Sequence, residues 1–349
     1  MKLAVHNVMF SGASGVNGWI IDFLKLYKPV LYVSRPQYLP RLVHFFYRFR
    51  LNPLEYTIVF SAKQLSSVAD VLVCFNGLPH LESNKPVKEF QGLKIYHVMD
   101  FTFFPSLSNK TLEEGGVDYV FGYARHDRYS DFFQKYYPGY GGKVISVPFG
   151  FAPRFKELIP FGQRKNKVIA LGSVNSFVDP VHEVEGFQEL NEFFLKRGEK
   201  FMHKFRRMLV EREASLVNVM DSKLPHFPQV KDFGYDIVQV LNEYRMFVNC
   251  ESLLYFPSAK TFEGPAAGSV LMCSTHPCFS DLGFEDGVNC VKHKEFDMQD
   301  FREKAEYYRN NPEQLEEIQK NGTRFVRENY NYKKVAQSVY SAIQNIQNT

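Results

Sequence analysis

The sequence predicts an α/β protein built from two doubly wound parallel sheets. Three observations carry this. Strand-like and helix-like segments alternate through the first half of the chain. Several of the strand segments are continuous apolar runs, as expected where helices cover both faces of a parallel sheet. The alternation halts at a turn-rich bridge, Pro148-Phe-Gly-Phe-Ala-Pro153, and then begins again. With 349 residues the chain is long for one core and natural for two domains.

Taken in order, the strand expectations of the first half are Lys2–Val8, Pro29–Ser34, Tyr56–Ser61, Val68–Phe75, Leu93–Met99, Tyr119–Tyr123 and Lys143–Val147. Helical patterns lie between them, notably Asn17–Tyr27 and Asp127–Tyr136. After the bridge, Lys167–Leu171 reads as a strand running into Gly172-Ser173. Helical patterns follow at Glu185–Arg197 and Phe201–Glu213, then a strand near Ser215–Val219, a helix near Ile237–Tyr244 and a strand at Met246–Asn249. Strands at Ser269–Cys273 and Val288–Val291 come next, and Met298–Arg309, Pro312–Glu328 and Tyr332–Ile346 read as helices. The expected division is 1–150, 151–330 and a terminal helix, 331–349, packing back on the first domain. In open sheets of this kind a ligand binds beyond the carboxyl ends of the strands.

Composition excludes several classes. Hydrophobic residues at 45% and charged residues at 23% are ordinary for a globular chain. No apolar run approaches a membrane span. Met1–Phe10 is too short and polar for a signal peptide, so a cytoplasmic location is expected. Five cysteines, mostly in apolar contexts, argue against a disulfide framework. Cys273, His276 and Cys278 match no usual zinc spacing and read as buried or local groups. A net charge of +4 suits anionic substrates or a membrane surface, and no nucleic-acid motif is present.

The stretch Ser258-Ala-Lys-Thr-Phe-Glu-Gly-Pro-Ala-Ala-Gly-Ser269 carries the most chemistry. It reads as a short helix with Ser258 as its N-cap and Gly268 as a left-handed stop, feeding a buried strand. Lys260 and Glu263 share a face near the helix start. A lysine for phosphate oxygens and a carboxylate for sugar hydroxyls, one turn apart, suit a sugar nucleotide. The same pair also fits a solvated surface ion pair.

This region resembles the nucleotide-binding half of GT-B glycosyltransferases, and in particular the C-terminal domain of the spore-maturation-type enzymes related to the large retaining families. The residues that carry the likeness are Leu241–Asn249, Ser258–Glu263, Ala266–Leu271, Gly283–Asn289, and the set in which Asn311-Pro-Glu precedes Asn321-Gly. The resemblance implies a GT-B fold, two Rossmann-like domains facing a central cleft, with the donor on the second. It implies that Glu263 holds the ribose hydroxyls and that Lys260 meets the diphosphate. Thr261 and Ser258 belong to the same motif. Many retaining relatives carry another glutamate eight residues before the ribose one; here that position is Tyr255.

Other candidates follow from placement. Ser11-Gly-Ala-Ser-Gly-Val-Asn-Gly18 joins the first strand to the first helix, and its glycines, Gly15 among them, let backbone amides approach a ligand. It fits an ordinary tight turn equally well. Asp100 ends a central strand and is placed to serve as a base for an acceptor hydroxyl, or else to cap the next turn. His97 reads as a core histidine, and His126 as a helix-start residue, on the surface or at the cleft. Gly172 and Ser173 are placed for the donor phosphate or for a strand-ending turn. Arg35–Arg50 is basic and aromatic, fitting either an anionic bilayer or a core-packed helix with surface arginines; Phe201–Arg207 is a weaker case. Asp297–Asp300 reads as a helix start, and no metal is expected.

The expected function is therefore transfer of a sugar from a nucleotide-sugar donor, a UDP-sugar, to a glycan or lipid-linked acceptor, with no cofactor beyond the co-substrate. Two rivals stay open: a sugar-nucleotide 2-epimerase of the same fold, and a non-catalytic sugar-nucleotide or glycan-binding protein.

Overall fold

The computed structural model of the chain describes residues 1–13, 15–76, 83, 85–178, 185–225 and 234–348. It divides into two compact units, Met1–Pro148 with Tyr332–Thr349, and Phe149–Asn331.

Among the described residues the first unit holds seven strands: β1 (Leu3–His6), β2 (Val30–Tyr32), β3 (Ile58–Val59), β4 (Val71–Cys74), β5 (Leu93–His97), β6 (Tyr119–Gly122) and β7 (Val144–Ser146). Between them lie α1 (Trp19–Tyr27), α2 (Leu39–Phe49), α3 (Ala62–Val68), α4 (Pro105–Glu114), α5 (His126–Tyr129) and α6 (Asp131–Tyr136). All seven strands form one sheet in the order β3-β2-β1-β4-β5-β6-β7, with every pair parallel. Each apolar run of the sequence becomes one of these strands. β1 and β4 are buried along their whole length, as a central strand covered on both faces requires.

The second unit holds β8 (Lys165–Leu171), β9 (Met220–Lys223), β10 (Tyr244–Val248), β11 (Val270–Ser274) and β12 (Val291–His293). Its helices are α7 (Gln188–Leu195), α8 (Lys204–Glu211), α9 (Glu213–Leu216), α10 (Ile237–Glu243), α11 (Lys260–Ala266), α12 (Pro277–Ser280), α13 (Met298–Asn310) and α14 (Pro312–Asn329). The sheet is parallel, in the order β12-β11-β10-β8-β9. Its core joins Val168, Met246 and Met272 of the strands to Phe205, Phe301 and Leu315 of the helices.

Two strand positions differ from expectation. Ser215 and Leu216 end the short helix α9, and the strand begins only at Met220. The expected strand at Val288–Val291 is displaced to Val291–His293, because Asp286, Gly287 and Cys290 close a local turn before it.

Helix α15 (Tyr332–Gln347) belongs to the first unit, where it packs on α1. Tyr27 and Tyr340 stack there at 3.7 Å between ring centroids, and Phe23 joins them beneath. Among the described residues no helix is long and apolar enough to cross a membrane.

Candidate functional site

In the second sheet the strand order reverses between β8 and β10. That switch point is where an open parallel sheet leaves a crevice beyond its strand ends. A cavity of about 550 Å3 opens there. Gly172 and Ser173, just past β8, and Cys250 and Ser252, just past β10, form part of its wall.

Three basic side chains converge on this cavity: His203 and Arg206 from the start of α8, and Lys260 from the start of α11. Arg206 is buried and packs against the end of β8. Its Nη1 donates to the Ser173 carbonyl at 3.1 Å. A Cβ at residue 172 would lie 2.9 Å from the guanidinium carbon, so only glycine lets the arginine sit there. Burial lowers the Arg206 pKa to about 10. Neither Arg206 nor Lys260 forms an ion pair within 4.0 Å with a carboxylate among the described residues. Burial, and next the Arg206 charge, lower Lys260 to about 8, while Glu263 opposes the shift. His203 is held well below its ordinary range by burial and then by the charges of Arg206 and Lys260. It is neutral, and its Nδ1 is buried without a hydrogen-bond partner among the described residues. Cations left without carboxylate partners at a cavity wall suit an anion.

The remaining wall is largely apolar or aromatic, with Tyr235, Ile237 and Phe256. Glu263 stands one turn beyond Lys260. Burial raises its pKa, and Lys260 and Arg154 pull it back.

How α11 is held differs from expectation. Ser258 does not cap the helix with its side chain; Ala259 occupies the cap position. The Ser258 hydroxyl instead donates to Asn249 Oδ1 at 3.0 Å, and Asn249 Nδ2 donates to Thr261 Oγ1 at 2.8 Å. One buried amide at the end of β10 thus grips both sides of Lys260. Thr261 is fully buried in that clamp and does not line the cavity, whereas Ser258 does. Gly268 stops the segment at φ 80°, as expected.

The predicted site residues therefore separate. Gly172, Ser173, Ser258 and Lys260 meet at one cavity, with Glu263 adjoining. Gly15 and Asp100 belong to the first unit. Gly15 has φ 60° and opens a 3-10 turn, and its carbonyl accepts from the Tyr332 hydroxyl. Gly18 gives the same ring room to pack, since a Cβ there would overlap it. Ser14 of this loop lies outside the described residues. Asp100 is exposed in the turn after β5, and its carboxylate makes no hydrogen bond among the described residues, so it does not cap that turn.

His97 and His126 of the first unit are structural. His97 is buried, and its Nδ1 accepts from the Met99 amide at 3.2 Å. His126 opens α5 but is fully buried, not on the surface. Its Nε2 accepts from the Tyr123 amide, and burial lowers its pKa to about 3. Asp297 caps α13 through the amides of Gln299 and Asp300, as read from the sequence. His276 Nδ1 accepts from the Cys278 amide, its ring stacks on Tyr255, and the cysteines are buried and unbridged.

Sequence reasoning missed His203, Arg206 and Tyr235. The first two lie in Phe201–Arg207, which was expected as a weak surface patch. Met202, His203 and Arg206 in fact face the cavity, and Phe205 enters the core. The usable signal was spacing: His203 and Arg206 are three apart at a helix start, and so share a face.

Glu251, between two wall residues, was also missed. It is buried, accepts from Ser274 Oγ at 2.7 Å, and is raised to about 7 by burial.

Residues 224–341 match the family model described as glycosyl transferase-like. A comparison with curated protein sequences finds no match. Solved structures match along nearly the whole chain. HepE of Anabaena, in complex with UDP, is 10% identical, with 99% of this chain and 100% of that one covered at a TM-score of 0.54. A glycosyltransferase of Rickettsia africae is 13% identical, with coverage of 99% and 98% and a TM-score of 0.52. Sucrose-phosphate synthase of Thermosynechococcus elongatus is 11% identical, with coverage of 99% and 98% and a TM-score of 0.51.

Proposed function

From a chain with the GT-B fold whose residues 224–341 match a glycosyl transferase-like family model, we propose a transferase that moves a sugar from a nucleoside diphosphate sugar to a hydroxyl of a glycan or lipid-linked acceptor. The observation that carries this reading is the convergence of Arg206 and Lys260, neither paired with a carboxylate among the described residues, on the cavity at the switch point of the second sheet. Two cations there match a diphosphate, and the tyrosine, isoleucine and phenylalanine of the wall match a base. We assign to Glu263, one turn along α11 from Lys260, the role of accepting from ribose hydroxyls. That HepE is in complex with UDP supports a uridine donor.

In this reaction the acceptor oxygen bonds to the anomeric carbon as the bond to the diphosphate oxygen breaks. The electron pair leaves with the diphosphate, where Lys260 and Arg206 stabilise the growing charge without a metal. The acceptor proton passes to a base, a role we assign to Asp100.

Calorimetry with UDP-glucose tests the site. Lys260→Ala and Glu263→Ala should each weaken binding by roughly tenfold or more, with melting temperatures close to that of the parent. Unchanged affinity in both variants overturns the assignment. A second reading, a nucleotide-sugar-binding protein without transfer, is favoured by Tyr255, whose ring stacks on His276 at 4.5 Å where many relatives carry an acid. Release of UDP that depends on an added acceptor separates the two, and an epimerised sugar formed without acceptor indicates an isomerase.

A further inference from the structure

The first unit carries its own cavity, of about 390 Å3, between the turn after β1 and helix α2. Phe10, Phe45 and Phe49 give it aromatic walls, and Arg41 and Arg48 bring guanidinium groups from α2, with the His44 ring between them on the wall. From Arg35 to Leu54 the sequence contains no carboxylate. Arg41 lies 5.1 Å from the centre of the Phe10 ring and Arg48 lies 5.2 Å from that of Phe49. Neither arginine forms an ion pair among the described residues.

Guanidinium groups spread over aromatic faces, with no acid to neutralise them, complement phosphate oxygens at one end of a ligand and hydrocarbon at the other. Outside the cavity the same helix turns Val43 and Tyr47 to solvent, 64% and 83% exposed, and Leu54 on the next turn is 92% exposed. Apolar groups set among arginines match the interface of an anionic bilayer. We infer that this cavity binds a phosphate carried on a hydrocarbon chain, taken from a membrane surface. The inference stands on the first unit alone and does not depend on the nucleotide site.

Co-sedimentation with phosphatidylcholine vesicles, with and without phosphatidate, tests it, beside calorimetry with decyl phosphate and inorganic phosphate. The expected result is binding only to phosphatidate vesicles, weakened about tenfold or more in the Arg41→Gln/Arg48→Gln variant. The Arg41→Lys/Arg48→Lys variant should keep most of the binding. Both arginines are exposed, so each variant should melt like the parent. Glutamine-sensitive binding of decyl phosphate without vesicle binding supports the same chemistry from a soluble source. Equal binding to neutral vesicles, inorganic phosphate binding as tightly as decyl phosphate, no loss in the glutamine variant, or no binding to any probe overturns it.

Discussion

Replacing Asn249 by alanine would strand two hydroxyls at once. Its amide accepts from Ser258 and donates to Thr261, and it is itself 1% exposed. The loss should be about 1–3 kcal/mol of unfolding free energy, because the fully buried Thr261 hydroxyl would lose a partner that water cannot replace. Denaturant titration checks this, and a variant as stable as the parent would show that the clamp contributes nothing. The strand end at Asn249 was readable from the sequence, but its use was not. An asparagine after an apolar run looks like any turn residue until the two hydroxyls it bridges, 9 and 12 residues on, are seen beside it. Arg206 teaches the same lesson. Basic and aromatic residues interleave alike on a membrane-facing surface and at a helix start lining a cavity. The sequence pattern cannot tell which side of the helix meets the sheet.

At the scale of elements, the segment that holds Lys260 is placed by close approach. Gly264 in α11 lies against Phe247 of β10, where a Cβ would come within 2.1 Å of the ring. Gly264→Ala should therefore cost about 1–3 kcal/mol through overpacking. It should also weaken UDP-glucose binding, since α11 must move off the strand. A variant with parental stability and affinity would mean the helix has slack. Legibility followed burial here as well. The strands of the first sheet stand out because both faces are covered and their runs are nearly all apolar. β9 reads Met-Asp-Ser-Lys and lies at the edge of its sheet, with only Met220 buried. β12 includes the buried polar residues Lys292 and His293. Neither carries a period that marks it as a strand, so the expected positions fell on the apolar residues beside them.

The molecule as a whole holds many histidines neutral. Burial lowers His6 and His126 to about 3, and lowers His97, His203, His276 and His293 from the ordinary 6.5. Between a pH near 3 and one near 6.5 the unfolded chain binds protons that the folded chain does not. Stability should therefore fall as pH drops through that window. Glu251, raised by burial to about 7, works in the opposite sense, as do Glu263 and Asp22, whose carboxyls burial also raises; three groups stand against six. Melting temperatures measured from pH 6.5 downward should decline, and constant values would mean these rings protonate without unfolding. The two-sheet architecture was legible because chain length, apolar runs and a turn-rich break all bear on it. The return of residues 332–347 to the first unit rests on contacts far apart in sequence.

That return sets an order of assembly during synthesis. Val335, Ala336, Val339 and Ile343 of α15 are buried, and Tyr340 covers Tyr27. When residues 149–331 leave the ribosome they already hold every strand of their own sheet. Residues 1–148, though made first, must wait with one flank of α1 bare. The earlier half of the chain is thus the later one to finish.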